Sequence, residues 1–322
     1  MARVTEGGVG LRKLLPVVSL VFAVIIQIIV ENAQKHPAVK TPYFTYALFA
    51  GLGVYAVFLT ASFFNKNIDT KIKYKSYFIA AAVLFLNVLN ILTGKFAILP
   101  VLFFPSLDKV FGVFVNESML LLKCLGYSLR LLGCGYVFGA LAGLTTGICI
   151  GFSKRVSYWI SPVIRVLGPI PSTAWIPLVL VSFPSAVSAS SFLIALSVWF
   201  PTTIMTSSGI SNINNSYFEV SATLGADNFS KIFRVGVPAA MPHIFLGLFN
   251  GTCASFITLI TAEMIGAKYG IGWYINWQKD MLSYANVYAG LIIIAVVFSI
   301  LVTFLFKLRD KLLLWQKGVI KW

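Results

Sequence analysis

Apolar residues in this chain arrive in long unbroken runs, without the period-two alternation of a strand or the one-sided stripe of a soluble helix. Eight runs are long enough to cross about 30 Å of hydrocarbon as helix: residues 14–30, 43–64, 76–92, 125–151, about 158–183, 189–207, 243–266 and 286–306. Inside lipid a segment must satisfy its own backbone N–H and C=O groups, which at these lengths only a helix does. The pattern predicts an all-α polytopic membrane protein with about eight transmembrane helices. No internal repeat stands out. The first run has no small-residue cleavage site behind it and is expected to stay as a helix rather than to be removed as a signal peptide. The Lys-rich segment 65–75 sets the first two runs apart, predicting a two-helix extension at 1–75, a core at 76–310 and a tail at 311–322.

One stretch breaks the oil-like pattern. After the sixth run, residues 219–238 read EVSATLGADNFSKIFRVGVP. Ser216 followed three positions later by Glu219 has the spacing of a capping box, so a short helix is expected to start there. It should run to Leu224, where Gly225 permits a left-handed turn into Ala226. Asp227 or Asn228 then caps a second short helix through Phe229, Ile232, Phe233 and Val235, which Pro238 is expected to end. The product is a helix, turn, helix within 208–242 whose apolar edge is Phe229, Ile232 and Phe233. Two destinations suit that edge: a protein partner that covers it, or the lipid headgroups, which Lys231 and Arg234 would also favour.

The composition is 58% hydrophobic and 11% charged, and the mean hydropathy is +0.88, so the bilayer is the solvent to consider first. Twenty-five Lys and Arg against ten Asp and Glu give +15, but these bases sit between the runs rather than along one face. They read as a topology signal, not a nucleic-acid surface. The rich segments hold Arg3, Arg12 and Lys13; Lys66, Lys71, Lys73 and Lys75; Lys154, Arg155 and Arg165; and Lys307, Arg309, Lys311, Lys317 and Lys321. The segments 31–42, 93–124, 184–188 and 267–285 are poorer, so both termini and 208–242 are expected to face the cytoplasm. Cys124, Cys134, Cys149 and Cys253 lie in or beside apolar runs with no CxxC pairing and read as filler. No phosphate loop occurs either: Gly94-Lys95 has Leu89 where the first Gly belongs, and Phe96 follows it.

The 219–238 stretch resembles the EAA loop of binding-protein-dependent ABC importer permeases, through Glu219-Val220-Ser221, then Gly225, then Val235-Gly236-Val237-Pro238. Val220 and Ser221 stand where that family usually has alanines. LRLLGCGYVFGALAGLTTGICIG (129–151), GPIPSTAWIPLVLV (168–181) and ITAEMIGAKYGIGWYI (260–275) resemble the nitrate, taurine and alkanesulfonate group in the same order. The resemblance covers about residues 76–310 and implies a type I importer core preceded by two extra helices, in a bacterial inner membrane. It implies that Glu219, Gly225, Ala226, Asp227, Asn228, Phe229, Ile232 and Phe233 dock on a separate ABC ATPase, present in two copies. The chain itself would then be non-catalytic and carry no cofactor, with ATP and Mg on the ATPase. A second permease copy, normally making a homodimer, and an extracytoplasmic binding protein are the other expected partners, beside membrane lipid. Relatives carry glycines near the outer end of the span before position 184, where this chain reads SFPSAVSAS.

Pro177 and Pro201 lie inside apolar runs and are kink candidates for a translocation path, with Trp199 beside them. Pro162, Pro169 and Pro171 read as loop punctuation. Glu263 interrupts an apolar run, where a carboxylate needs a partner or water; it is a path candidate that also suits bracing of its helix. Arg130 and Arg165 would attract an anion, although snorkelling from a span end explains both. Gly133, Gly135, Gly139, Gly143 and Gly147 offer a face for close helix packing. Trp175, Trp199, Trp273 and Trp277 fit interfacial anchoring or pore lining. The competing class is an ATPase-independent secondary transporter or channel, which would show repeats, several intramembrane charges and no docking loop.

Overall fold

A computed structural model describes residues 12–33 and 41–314. Arg3, Lys317 and Lys321 of the charge reading, and most of the 311–322 tail, lie outside the described residues. Among the described residues six helices are long and apolar enough to cross a membrane, and a bent pair supplies a further broken span. The first run, 14–30, forms a shorter helix of 15 residues, about 22 Å at 1.5 Å per residue.

The described residues fall into two compact units, within Met1–Ser118 plus Gln278–Ala289 and within Met119–Trp277 plus Gly290–Trp322. In the first unit, α1 (Leu15–Ile29), α2 (Tyr43–Phe64) and α3 (Lys66–Asn90) pack together around Leu20, Ala23, Phe44, Leu48, Tyr55 and Ile72. The segment 65–75, read from its lysines as a separator, is the start of α3. Ile68 and Ile72 give it a buried face at helical spacing, and Asp69 ion-pairs with Lys13 and Lys73. The first unit takes in the third run and reaches Ser118. After a π turn at Ile91–Lys95, α4 (Leu107–Asn116) completes the unit. There Asp108 accepts a hydrogen bond from the Phe44 N–H at 2.9 Å.

The second unit begins with α5 (Ser118–Phe152). The expected continuous span at 158–183 is broken: α6 (Lys154–Leu167) and the segment Ser172–Ser182, which contains α7 (Ile176–Ser182), meet at 84°. Gly168, Pro169 and Pro171 stand in the break, where proline fixes φ and cannot donate. Pro162 lies inside α6 rather than in a loop, and Pro177 occupies the first turn of α7, where its missing N–H costs nothing. Pro201 lies within α8 (Ala186–Ser211) as expected. Beyond α9 (Asn215–Thr223), α10 (Val237–Gly266) packs along α8, followed by α11 (Ile271–Asp280) and α12 (Tyr284–Leu312).

The stripe of small residues on α5 faces α8. A Cβ on Gly135 would come within 2.6 Å of Ile194, on Gly143 within 2.7 Å of Thr202, and on Gly147 within 2.6 Å of Thr206. Lipid gives helices no hydrophobic reason to associate, so approach this close supplies dispersion contacts in its place. Gly133 points into open space and does not belong to the stripe.

Candidate functional site

The polar stretch folds as a knob of two short helical pieces. Its entry differs from the expected capping box. Asn214, not Ser216, is the N-cap, and the Asn214 carboxamide oxygen accepts from the Ser216 N–H at 3.1 Å and from its hydroxyl at 3.0 Å. Helix α9 thus starts earlier, and Glu219 lies within it and is exposed. Its end follows the glycine rule: Gly225 has φ +77°, the Ala226 N–H reaches the Ser221 carbonyl and the Gly225 N–H reaches that of Ala222. These two bonds are the Schellman pair that satisfies the last carbonyls of a helix. Gly225→Ala is expected to cost about 1 kcal/mol through its left-handed backbone, read as faster amide exchange across 222–227.

Asp227 then caps the turn Asn228–Ser230, its carboxylate accepting from the Ser230 N–H at 3.2 Å. The Ser230 side chain and backbone hold the Asp227 carboxyl below the usual carboxylate range. The cap is therefore intact at neutral pH and is lost as pH falls through that lowered value.

Pro238 does not end this second piece. A π turn at Lys231–Gly236 carries it directly into α10, with Pro238 in that helix's first turn. Proline can neither donate nor tolerate the carbonyl four residues back, and the wider turn before it lets the chain stay helical. The knob is consequently continuous with a membrane-spanning helix. It is also seated on α5: the Phe152 ring meets Phe218 edge-on at 5.9 Å and lies against Gly236. Ser221, where an alanine is usual, is buried with its hydroxyl donating to the Phe218 carbonyl at 2.8 Å.

The expected apolar edge is present. Phe229 is 67% exposed, and its ring lies 4.5 Å from that of exposed Phe233, with Ile232 half-buried beside them. Asn228 is exposed and Ala226 half-buried. A second edge went unread in the sequence: Tyr217 and Val220 on α9 and Leu224 at its C-cap are all exposed, Leu224 at 82%. Their spacing of three and four is the signal that marks them.

Two of the four path candidates meet. Trp199 and Pro201 line a cleft of about 470 Å³ at the break between α6 and α7, walled also by Trp175, Phe192, Phe200 and Ile257. Trp199 is fixed there by its indole N–H, which donates to Thr146 at 3.1 Å. Ser172 and Thr258, paired at 2.7 Å, add polar groups, as do Thr173 and Asn250, which sequence reading passed over. Pro177 is not among the lining residues.

Glu263 is placed apart from that cleft, 1% exposed near the end of α10. One carboxylate oxygen accepts from the Ser128 hydroxyl of α5 at 2.7 Å and the other from the Gly272 N–H of α11 at 2.8 Å. The Ser128 oxygen in turn accepts from the Ile271 N–H at 2.9 Å. Three helices thus converge on one carboxylate, which sits at the positive end of α11.

Comparison with known proteins places this arrangement. A Bacillus subtilis permease protein assigned to aliphatic sulfonates transport is 34% identical over 184 residues, covering 57% of this chain and 67% of that one. The nitrate import permease of Leptolyngbya laminosa is 32% identical over 170 residues, 51% of this chain and 61% of that one. The Escherichia coli taurine transport permease is 28% identical over 179 residues, 56% and 65% respectively. The matches span about two thirds or less of these relatives' length. In fold, the chain is similar to a chain of the MetNI methionine ABC transporter, with a TM-score of 0.52 over 61% of this chain and 97% of that one at 17% identity. Residues 135–313, more than half of the chain and including the knob, the cleft and Glu263, match one family along their length. The chain belongs to the binding-protein-dependent transport system inner membrane component family.

Proposed function

We propose that this chain is the transmembrane subunit of an ATP-driven importer that moves a small anionic or zwitterionic solute into a bacterial cell. The observation that carries the reading is the knob. It is a capped, amphipathic protrusion with exposed Phe229, Phe233 and Leu224, continuous with α10 through the π turn, in a chain of this family. A partner that grips the knob can move α10 as a body, and α8 packed along it.

In this reading two copies of a separate ATPase bind the knobs of two permease copies, a homodimer by default. The permease itself does no chemistry, and ATP and Mg belong to the ATPase. Closure of the ATPases on ATP favours the outward-open arrangement, and hydrolysis with product release returns the inward one. A binding protein delivers cargo from outside. The alternating basic segments support cytoplasmic termini with the knob on the same side.

Glu219→Lys and Gly225→Pro are each expected to leave insertion unchanged while ATP-dependent uptake by the reconstituted complex falls at least tenfold. A cysteine at Asn228 should react with an impermeant maleimide only in inside-out vesicles. Normal uptake in both variants, labelling from outside intact cells, or uptake by the purified chain without an ATPase would each overturn the reading. The last of these would favour a secondary transporter or channel.

A further inference from the structure

The cleft beside Trp199 does not stand alone. A second cavity, of about 560 Å³, adjoins it and is lined by Ser161, Arg165 and Ser207. Gly168 and Phe200 line both cavities, and the Phe200 ring lies directly against Gly168 at the junction. The two halves differ in chemistry. The first is walled by aromatic and aliphatic side chains with a few hydroxyls and one amide, and no charged side chain lines it among the described residues. The second holds Arg165, which is exposed and takes part in no ion pair among the described residues.

We propose that the two cavities form one cargo site for a small organic anion, its carbon body in the aromatic cleft and its acidic head group on Arg165. An inorganic anion has nothing to offer an apolar cleft of this size, and burying it among uncharged walls is strongly unfavourable. A neutral apolar solute would gain nothing from Arg165. A guanidinium fork next to an aromatic pocket selects a molecule with both features, because Arg presents paired donors to a planar or tetrahedral oxyanion. Pockets that hold organic ligands share this make-up, a mainly apolar lining with a few polar groups at one end. The site narrows the cargo of the importer reading, on which it rests, from anions in general to those carrying a carbon body. Arg165, whose place near a span end is otherwise explained by snorkelling, becomes its head-group residue.

The test measures binding to the full-length permease in nanodiscs of zwitterionic lipid, without ATPase or ATP, so its failure is separable from failure of ATP-driven uptake. Radiolabelled hexanesulfonate is competed with straight-chain sulfonates from ethane- to pentanesulfonate, with nitrate and bicarbonate, and with neutral hexanol. Affinity is expected to rise about fourfold per added methylene, with nitrate, bicarbonate and hexanol at least a hundredfold weaker than hexanesulfonate. R165Q should weaken hexanesulfonate about tenfold, with R165K recovering most of the loss. Ala254→Phe and Ile257→Trp, which fill the cleft, should each abolish the chain-length dependence. Nitrate competing as well as hexanesulfonate would overturn the proposal, because the site would then read charge alone. So would an unaltered R165Q, or cleft-filling variants that keep the chain-length series, since retention would then lie in lipid. Displacement of hexanesulfonate on adding anionic phospholipid to the nanodiscs would assign the groove to a lipid and likewise overturn it.

Discussion

Replacing Glu263 with alanine is expected to lower the stability of the detergent-purified chain by about 3 kcal/mol, seen as a fall in its thermal midpoint. The variant removes the acceptor for the Ser128 hydroxyl and the Gly272 N–H, both buried where water cannot substitute. Each orphaned donor carries a desolvation penalty, and the bonds lost were to a charged or strongly polar group. Glu263→Gln keeps the volume and one carbonyl acceptor but sets an amide donor opposite another donor, so its loss should be about half as large. Gly270, at φ +139°, and Gly272 let the chain close over the carboxylate, and a Cβ at either would run into Glu263. Wild-type stability in Glu263→Ala would show that the three helices do not depend on this carboxylate.

Gly139→Leu is expected to cost roughly 3 kcal/mol or more and to reduce the yield of folded protein. A Cβ at this position would meet the Ala195 backbone and the Val198 side chain, and backbone of α8 cannot turn aside as a side-chain tip can. Every neighbour along the stripe would shift with it, since Gly135, Gly143 and Gly147 make the same approach. Gly133→Ala, one helical face away and open on that side, is the control; it should be neutral or slightly stabilising, because alanine is the better helix former. Equal thermal midpoints for the two variants would mean that α5 and α8 are not held by close packing of this stripe.

Much of the knob was legible from local chemistry. Gly225 was expected in a left-handed turn and either Asp227 or Asn228 at an N-cap, and Gly225 and Asp227 fill those places, because such positions answer to constraints within a few residues. The errors in the same stretch were also local and instructive. Asn214 outcompeted Ser216 for the cap since both are good N-caps and only the position of the first turn separates them. Pro238 was expected to stop a helix, yet the π turn before it removes the clash that would have stopped it. In the cleft, Trp199 and Pro201 were legible as membrane residues out of the ordinary. Ser172, Thr173 and Asn250 were not, since hydroxyls and single amides are common in such helices and nothing in the order of residues says which of them share a cavity.

Run length, turn chemistry and the placement of bases made this chain an all-helical membrane protein with one soluble-looking protrusion, because hydrocarbon imposes its demand on each segment separately. Only the folded chain shows that the 158–183 run bends by 84°, that Glu263 meets Ser128 and Gly272, and that the glycine face of α5 lies on α8. Those outcomes depend on which distant segments come into contact, and contact between helices in lipid is decided by shape complementarity and a few buried polar groups rather than by hydrophobicity, which every span has in equal measure.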